Sequence, residues 1–421
     1  MHKYHEKEDL TKKINLFLLL FILSVSINSV FAIPRFKVVS YNLLQYDGLE
    51  RNDYLKTVLT SINPDLIVVQ EIESQVAVDS FKISVLDNRL WTIPFHNGND
   101  TDNHIFYNPY MMEIISTTYI NTDLRDIAEY KLRFPLTNDT LYIYSAHLKA
   151  GNPDFDPYNQ DLQRLDEITV LRDEHLNTFP QGTKFIVCGD LNLYKSTEPA
   201  YQKLLGEEPG NYGQIFYPIN QPGEWHNNAA FADIQTQSSR LNDLGDGGST
   251  GGMDDRFDFI LISGSLRGKV VDGSYKAYGN DGNHFNQAIN NGTNSAVSVE
   301  IANALHAGSD HLPIMAEIDF SLPSKISDST HQIPEGFKLE QNYPNPFNPR
   351  TYINYRLQIA SNVELSIYNL RGQRVAVLVS EKQQAGYHHT QWDAHGFASG
   401  IYYYIMKAGD FQEIKKMVLL Q

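Results

Sequence analysis

The sequence predicts an α/β region followed by a small all-β module, and three observations predict it. Short apolar runs with β-branched centres, FKVVSY, DLIVVQ, LYIYSA and KFIVCGD, read as buried strands. The first two enclose Arg51–Ile62, whose spacing is helical, and strand–helix–strand is the unit of an α/β fold. Beyond residue 336 the periodicity changes to alternation between turns, the texture of strands alone. The 421-residue length exceeds one typical domain. Its 42% hydrophobic and 12% aromatic content supplies a packed core and excludes global disorder.

At the amino terminus, Lys12 and Lys13 precede the apolar run Ile14–Ile27 and then Val30-Phe31-Ala32. A basic flank, a short apolar core and small residues at the cleavage positions predict a secretory signal over 1–32, cut after Ala32. The run is shorter than the roughly 20 residues of a membrane span, and no later stretch replaces it. No stable span is therefore expected after signal removal.

The strand from Phe36 to Tyr41 delivers Asn42. Tyr54, Leu55, Val58, Leu59 and Ile62 give the following helix its apolar face, and Asn63-Pro64-Asp65 stops it. Leu66–Val69 is a second buried strand, delivering Gln70 and Glu71. From Phe81 to Ile127 the punctuation predicts short strands and loops. Leu141–Ser145 is a strand that leads to His147, and Gln160–Leu176 has helical spacing.

The stretch Lys184–Leu193 is the pivot: Phe185–Cys188 is a buried strand, Gly189 frees the backbone, and Asp190 and Asn192 follow. Alternation along an extended chain places those two side chains on one side. Cys188, the single cysteine, allows no internal disulfide and reads as a small buried hydrophobe. Gly206–Asp255 is a long polar loop whose main apolar feature is Trp225; loops of that length are functional or disordered. Phe257–Ile262 is a strand containing Asp258, and Pro313–Phe320 closes the region just after Asp310 and His311.

A polar linker over 321–336, with Pro323 and Pro334, separates the α/β region (33–320) from the module at 337–421. There NYPNPFNP is extended because of its prolines, Val363, Leu365 and Ile367 alternate, and Arg371-Gly372 makes a hairpin turn. A small sandwich is expected.

Charge divides along the same boundary. Residues 33–336 carry 21 basic against 41 acidic side chains, and 337–421 carry 9 against 6. So acidic an α/β region argues against tight, charge-driven binding of duplex nucleic acid, although a divalent cation can meet the phosphates instead.

Glu71, Asp190 and Asp310, with Asn42 and Asn192, form an oxygen-only donor set, which favours Mg²⁺, with Mn²⁺ or Ca²⁺ as the other hard cations. His147 and His311 add donors or a base near neutral pH. A carboxylate inside a strand, Asp258, is costly to bury alone. It either orients His311 or pairs with Arg256. For His147 the alternative is a satisfied core histidine, and for Glu71 a helix-capping carboxylate.

In order, SYN, QE, SAH, GDLN, RFD and SDH resemble the signature blocks of the endonuclease/exonuclease/phosphatase family, the deoxyribonuclease I-like fold, over roughly Phe36–Phe320. The resemblance implies a four-layered α/β sandwich with the site where the strand ends converge. It implies Glu71 as the principal metal ligand with Asn42 beside it, and Asp310 as a metal or outer ligand. Asp190 would position or activate the attacking water, Asn192 would hold a phosphate oxygen, and His311, paired with Asp258, would be the general base or stabilise the phosphorane. His147 resembles the histidine of the nuclease, phosphoinositide phosphatase and sphingomyelinase branches, which makes a role in abasic-site repair less fitting.

The tail, through FKLEQNYPNPFNPRTYINY, LSIYNLRGQRV, WDAHGFASGIYYY and KKMVLL, resembles the type A carboxy-terminal sorting domain of type IX secretion cargo. That implies export across two membranes, the type IX machinery as a partner, and a secreted or surface-attached product.

The expected function is a monomeric, divalent-metal-dependent phosphodiesterase, foremost an extracellular endonuclease acting on nucleic acid. The alternatives are an inositol phosphate phosphatase or a sphingomyelinase-like enzyme, the latter using Trp225 and its loop at a membrane, and a non-catalytic binding protein.

Overall fold

The computed structural model describes residues 35–98, 102–151, 160–207, 211–322, 336–342, 345–383 and 386–420. The expected signal segment and most of the expected linker lie outside the described residues.

In the catalytic region two six-stranded sheets face each other. The first contains β1 (Phe36–Tyr46), β2 (Leu66–Ile72), β3 (Trp91–Thr92), β4 (Asp102–Tyr107), β11 (Lys276–Ala277) and β12 (Ile314–Ile318), in the order β11-β12-β1-β2-β4-β3. The second contains β5 (Glu113–Ile120), β6 (Ile127–Phe134), β7 (Asp139–His147), β8 (Phe185–Asp190), β9 (Ile215–Phe216) and β10 (Asp258–Ser263), in the order β5-β6-β7-β8-β10-β9.

Alternation decides which side chain fills which layer. Val38, Leu66, Val68 and Ile105 point between the sheets. Val39, Tyr41, Ile67 and Val69 point the other way, onto helices α1 (Asn52–Ile62) and α5 (Val299–Gly308). Against the second sheet pack α3 (Gln160–Thr169) and α4 (Pro199–Leu205), through Ile168, Ala200 and Leu204. A short α2 (Gln75–Ser80) joins the first outer layer, giving helix, sheet, sheet, helix: the four-layered α/β sandwich.

Helix α1 shows what holds such an element. Its N-terminus has no side-chain cap, and it ends where Asn63 turns left-handed (φ 50°) and donates its N–H to Leu59 O. Burial of Leu55, Val58, Leu59 and Ile62 stabilises it by roughly 1.5–3 kcal/mol per side chain. The apolar stripe therefore outweighs capping.

Three elements differ from expectation. Strands β1, β2 and β7 run further than their apolar cores, because ladder partners continue to pair beyond the last branched residue. The helical run after Gln160 is regular only to Thr169; a widened turn (Val170–His175) and a tight one (Leu176–Thr178) follow. There Arg172 is buried and gives an Nη1–H to Gly213 O at 2.7 Å. Trp225, a membrane contact under the sphingomyelinase alternative, is fully buried and donates Nε1–H to Leu193 O at 2.6 Å. It packs beneath the GDLNL segment and is not available to a bilayer.

The C-terminal module pairs a three-stranded sheet, β13 (Lys338–Leu339), β14 (Arg350–Leu357) and β17 (Gly386–Asp393), with a four-stranded one. The latter holds β15 (Ser361–Asn369), β16 (Arg374–Gln383), β18 (Gly400–Ala408) and β19 (Phe411–Leu419). Ile353 and Tyr355 of one sheet share a core with Leu365, Ile367, Tyr404 and Met417 of the other, a small β sandwich. Gly372 and Gly409 take the positive φ of its two tight hairpins. Among the described residues no helix is long and apolar enough to cross a membrane.

Candidate active site

The site is built where strand ends from both sheets meet. In the second sheet the ladder sets three polar side chains side by side: His147 is opposite Asp190 in the parallel β7–β8 pair, and Asp258 is opposite Asp190 in the antiparallel β10–β8 pair. Gly189 makes this register possible. Its φ is +134°, and a Cβ there would lie 1.9 Å from Ala146 O.

The first sheet contributes Asn42 from β1 and Glu71 from β2. Glu71 has a left-handed backbone (φ 60°), as do Leu44 and Gln45 opposite it, at the point where the β1–β2 register slips. Left-handed non-glycine residues are costly and gather where the surroundings fix them for use. The Ser309–His311 turn before β12 is pinned to β1 by Ser309 Oγ, which donates to Asn42 O at 2.7 Å and accepts from His311 N at 3.1 Å.

Asp190 is the hub. Its Oδ2 accepts from Asn42 Nδ2 at 3.0 Å and lies 3.6 Å from both His147 Nε2 and His311 Nε2. The same Asn42 amide donates to Glu71 Oε1 at 2.9 Å, and His147 Nε2 is 3.8 Å from that oxygen. Glu71 Oε2 accepts from Gln45 N at 2.9 Å. His311 Nδ1 is 2.8 Å from Asp258 Oδ2, so Asp258 orients His311 and the Arg256 pairing is not made. Arg256 instead stacks among Tyr217, Phe259 and Trp225, its carbon Cζ 3.8 Å from the Phe259 ring centre.

Two expected positions come out differently. Asn192 is not carried by strand alternation: the strand ends at Asp190, and Asn192 is left-handed (φ 49°). Its N–H donates to Asp190 Oδ1 at 3.1 Å and its Nδ2 to Leu148 O at 3.0 Å, so local hydrogen bonds place it. Asp310 is bonded to the long loop and not to Asn42 or Glu71: its Oδ2 accepts from Gln237 Nε2 at 3.1 Å and Ser249 N at 2.8 Å.

Gln237 and Ser249, which the sequence did not single out, come from the long loop. Gln237 Nε2 also lies 2.6 Å from His311 Nε2. No residue type or spacing in that loop marks them.

Burial tunes the titrating groups. It pushes Asp190 up to about 7, a rise that nearby His311 opposes and Asp258 reinforces. Burial also holds His147 well below the usual histidine range, with the charges of Arg125 and His311 acting the same way. For His311 burial acts downward, but the carboxylates of Asp258, Asp310 and Asp190 outweigh it and raise its proton affinity. Cys188 is buried, its thiol pushed up to about 12, as a small hydrophobe should be.

The donor set suits a hard divalent cation. Glu71, Asp190, Asp258 and Asp310 crowd one end of the fold, and none is hydrogen-bonded to a Lys or Arg side chain among the described residues. Asp258 Oδ1 and Asp310 Oδ1 are buried with no hydrogen-bond partner, a deficit that positive charge relieves. Only Asn42 and Glu71 of the three expected ligands touch; among the described residues no three His, Cys, Asp or Glu side chains are gathered as a ready-made cage.

Known families match both parts of the chain. The model of the Endonuclease/Exonuclease/phosphatase family matches residues 39–311, and that of the Secretion system C-terminal sorting domain matches 341–420. No curated protein matches the chain. Among solved structures, truncated Caenorhabditis elegans TDP2 is 16% identical, covering 68% of this chain and 97% of its own, with a TM-score of 0.44. D. rerio TDP2 complexed with single strand DNA product is 15% identical, covering 68% and 99%, with a TM-score of 0.47. A Bacteroides thetaiotaomicron mannosyl-6-phosphatase is 15% identical, covering 68% and 100%, with a TM-score of 0.40. The chain belongs to the Endonuclease/Exonuclease/phosphatase family, a phosphoester hydrolase whose sorting domain directs it to the cell surface or the medium.

Proposed function

We propose that the protein is a divalent-metal-dependent phosphodiesterase, and specifically an extracellular nuclease. The observation that carries this is Asp190 Oδ2 placed 3.6 Å from each of two imidazole Nε2 atoms, with one ring backed by Asp258 and the Asn42–Glu71 pair alongside. At 3.6 Å neither nitrogen is hydrogen-bonded to Asp190, and a water seated beside the pair can contact both the acid and the base.

Each side chain then has a part. His311, in its unprotonated form with Nδ1–H held by Asp258, takes a proton at Nε2 from a water positioned by Asp190. His147 is neutral at pH 7 because it is buried, and its Nε2 edge faces two carboxylates, so its proton sits there, ready to be donated to a phosphate or leaving-group oxygen. Asn192 orients a phosphate oxygen. Glu71 and Asn42 would hold Mg²⁺, or Mn²⁺ or Ca²⁺, with Asp310 as an outer partner; a bound cation supplies charge stabilisation at the phosphoryl group.

The nuclease reading is favoured by export, since nucleic acid is a phosphodiester met outside the cell, and by a carboxylate cleft that needs a cation to face phosphates. The buried Trp225 weakens the lipid alternative. The test is cleavage of plasmid DNA, RNA, a chromogenic diester and sphingomyelin vesicles with Mg²⁺, Mn²⁺, Ca²⁺ or chelator. Metal-dependent plasmid nicking, lost by more than about 100-fold in both His147→Ala and His311→Ala, is expected. Turnover of lipid or the small diester alone would replace the substrate, and undiminished cleavage by either variant would refute the roles assigned.

A further inference from the structure

The long polar loop supplies one side chain that touches the catalytic machinery directly. Residues 236–239 thread between the segment leading into β10 and the Asp310–Leu312 turn, and both sides are hydrogen-bonded. Thr236 N and Gln237 N donate to Asp255 O (2.7 and 3.0 Å), Leu312 N donates to Thr236 O (2.7 Å), and Ser239 N donates to Asp310 O (2.8 Å). Thr236 Oγ1 accepts from Phe257 N at 3.1 Å and Asp258 N at 3.3 Å. The backbone of Gln237 is thus fixed on both flanks while the residue stays only partly buried.

From there one amide nitrogen reaches two neighbours in sequence, Asp310 Oδ2 at 3.1 Å and His311 Nε2 at 2.6 Å. An NH₂ group has two protons, one for each. We propose that Gln237 is the positioning residue for His311. Asp258 grips the ring at Nδ1 only, and a single contact leaves the imidazole free to pivot about it. The Gln237 contact at the opposite nitrogen removes that freedom, and the bond to Asp310 sets the plane of the amide.

With the ring neutral, the two contacts define one tautomer: Nδ1–H given to Asp258, Nε2 lone pair accepting from Gln237. For His311 to act as a base, a water beside Asp190, whose Oδ2 is 3.6 Å from the same nitrogen, must take the place of the Gln237 N–H at that lone pair. The inference rests on His311 acting as the base, as proposed above.

The test uses the full chain, bis(p-nitrophenyl) phosphate and Mn²⁺, with Gln237→Met, which keeps the volume and removes the donors, His311→Ala, and the double variant. Gln237→Met is expected to lower kcat about tenfold with KM within about twofold, because a mispositioned base costs rate rather than binding. On the His311→Ala background the same change is expected to have no further effect, since a residue acting through His311 has nothing left to position. A wild-type kcat in Gln237→Met, or a loss that multiplies fully with that of His311→Ala, overturns the proposal while leaving the base assignment intact. A His311→Ala protein with wild-type turnover, or a wild-type chain inert on both the diester and plasmid DNA, removes the base assignment and the positioning role together.

Discussion

Replacing Asp190 with asparagine exposes the energetic tension of the site. Burial raises the Asp190 carboxyl from 3.8 to about 7, so the folded chain holds a proton that the unfolded chain has already lost. A folded-state pKa above the unfolded one gives a contribution to stability that is fully present below about 4 and is lost as pH rises through about 7. Three pK units correspond to roughly 4 kcal/mol in full, of which about 2–3 kcal/mol falls between pH 5 and pH 8. The side chain of Asp190→Asn carries no charge. It keeps an oxygen for Asn42 Nδ2 but loses the acceptor that Asp190 Oδ1 offers Asn192 N, a constant cost of about 1 kcal/mol. The variant should therefore match the wild type to within about 1 kcal/mol at pH 5 and be more stable by roughly 3 kcal/mol at pH 8, while losing activity. Urea unfolding in chelator at pH 5, 6, 7 and 8, followed through the buried Trp225, measures the difference directly. A difference that is flat with pH, or that favours the wild type increasingly as pH rises, would refute the account of Asp190 as a buried carboxylate held in reserve for a cation.

Two further substitutions test the frame around it. Gly189→Ala puts a Cβ 1.9 Å from Ala146 O at φ +134°, so backbone must move where β7 and β8 align His147 with Asp190; a stability loss of about 3 kcal/mol or more is expected in urea titration. Glu71→Gln should abolish the metal-induced rise in stability, which for the wild type at 100-fold excess over Kd is about 2.7 kcal/mol, measured by unfolding with and without Mg²⁺.

What the sequence discloses and what it hides follow from where the information sits. His147, Asp190 and Asp258 stand at the ends of β-branched runs, and a run buried on both faces announces its strand, so local pattern alone places the polar residue at its end. The same logic finds α1, whose apolar stripe and Asn63-Pro64 stop are local signals. It fails at Asn192, because alternation assumes an extended chain and Asn192 is left-handed at φ 49°, held by hydrogen bonds to Asp190 and Leu148 that no spacing encodes. It fails also for Trp225, an isolated apolar residue in polar surroundings. Nothing next to Trp225 shows that the underside of the GDLNL segment needs filling by Trp225, Tyr201 and Phe259.

Gln237 is the sharpest case. An amide in a Gly-, Asn- and Gln-rich loop has no periodicity to betray it, and its position is fixed by backbone hydrogen bonds to Asp255 on one side and through Ser239 to Asp310 on the other. Those partners lie 18 and 73 residues away in the chain. The strands of this fold are specified by burial, which each residue carries with it, whereas the loop that closes over the histidine is specified by pairing, which exists only once the strands have formed. A polar residue whose place depends on tertiary pairing becomes visible only in the folded chain, and the amide that meets His311 is of that second kind.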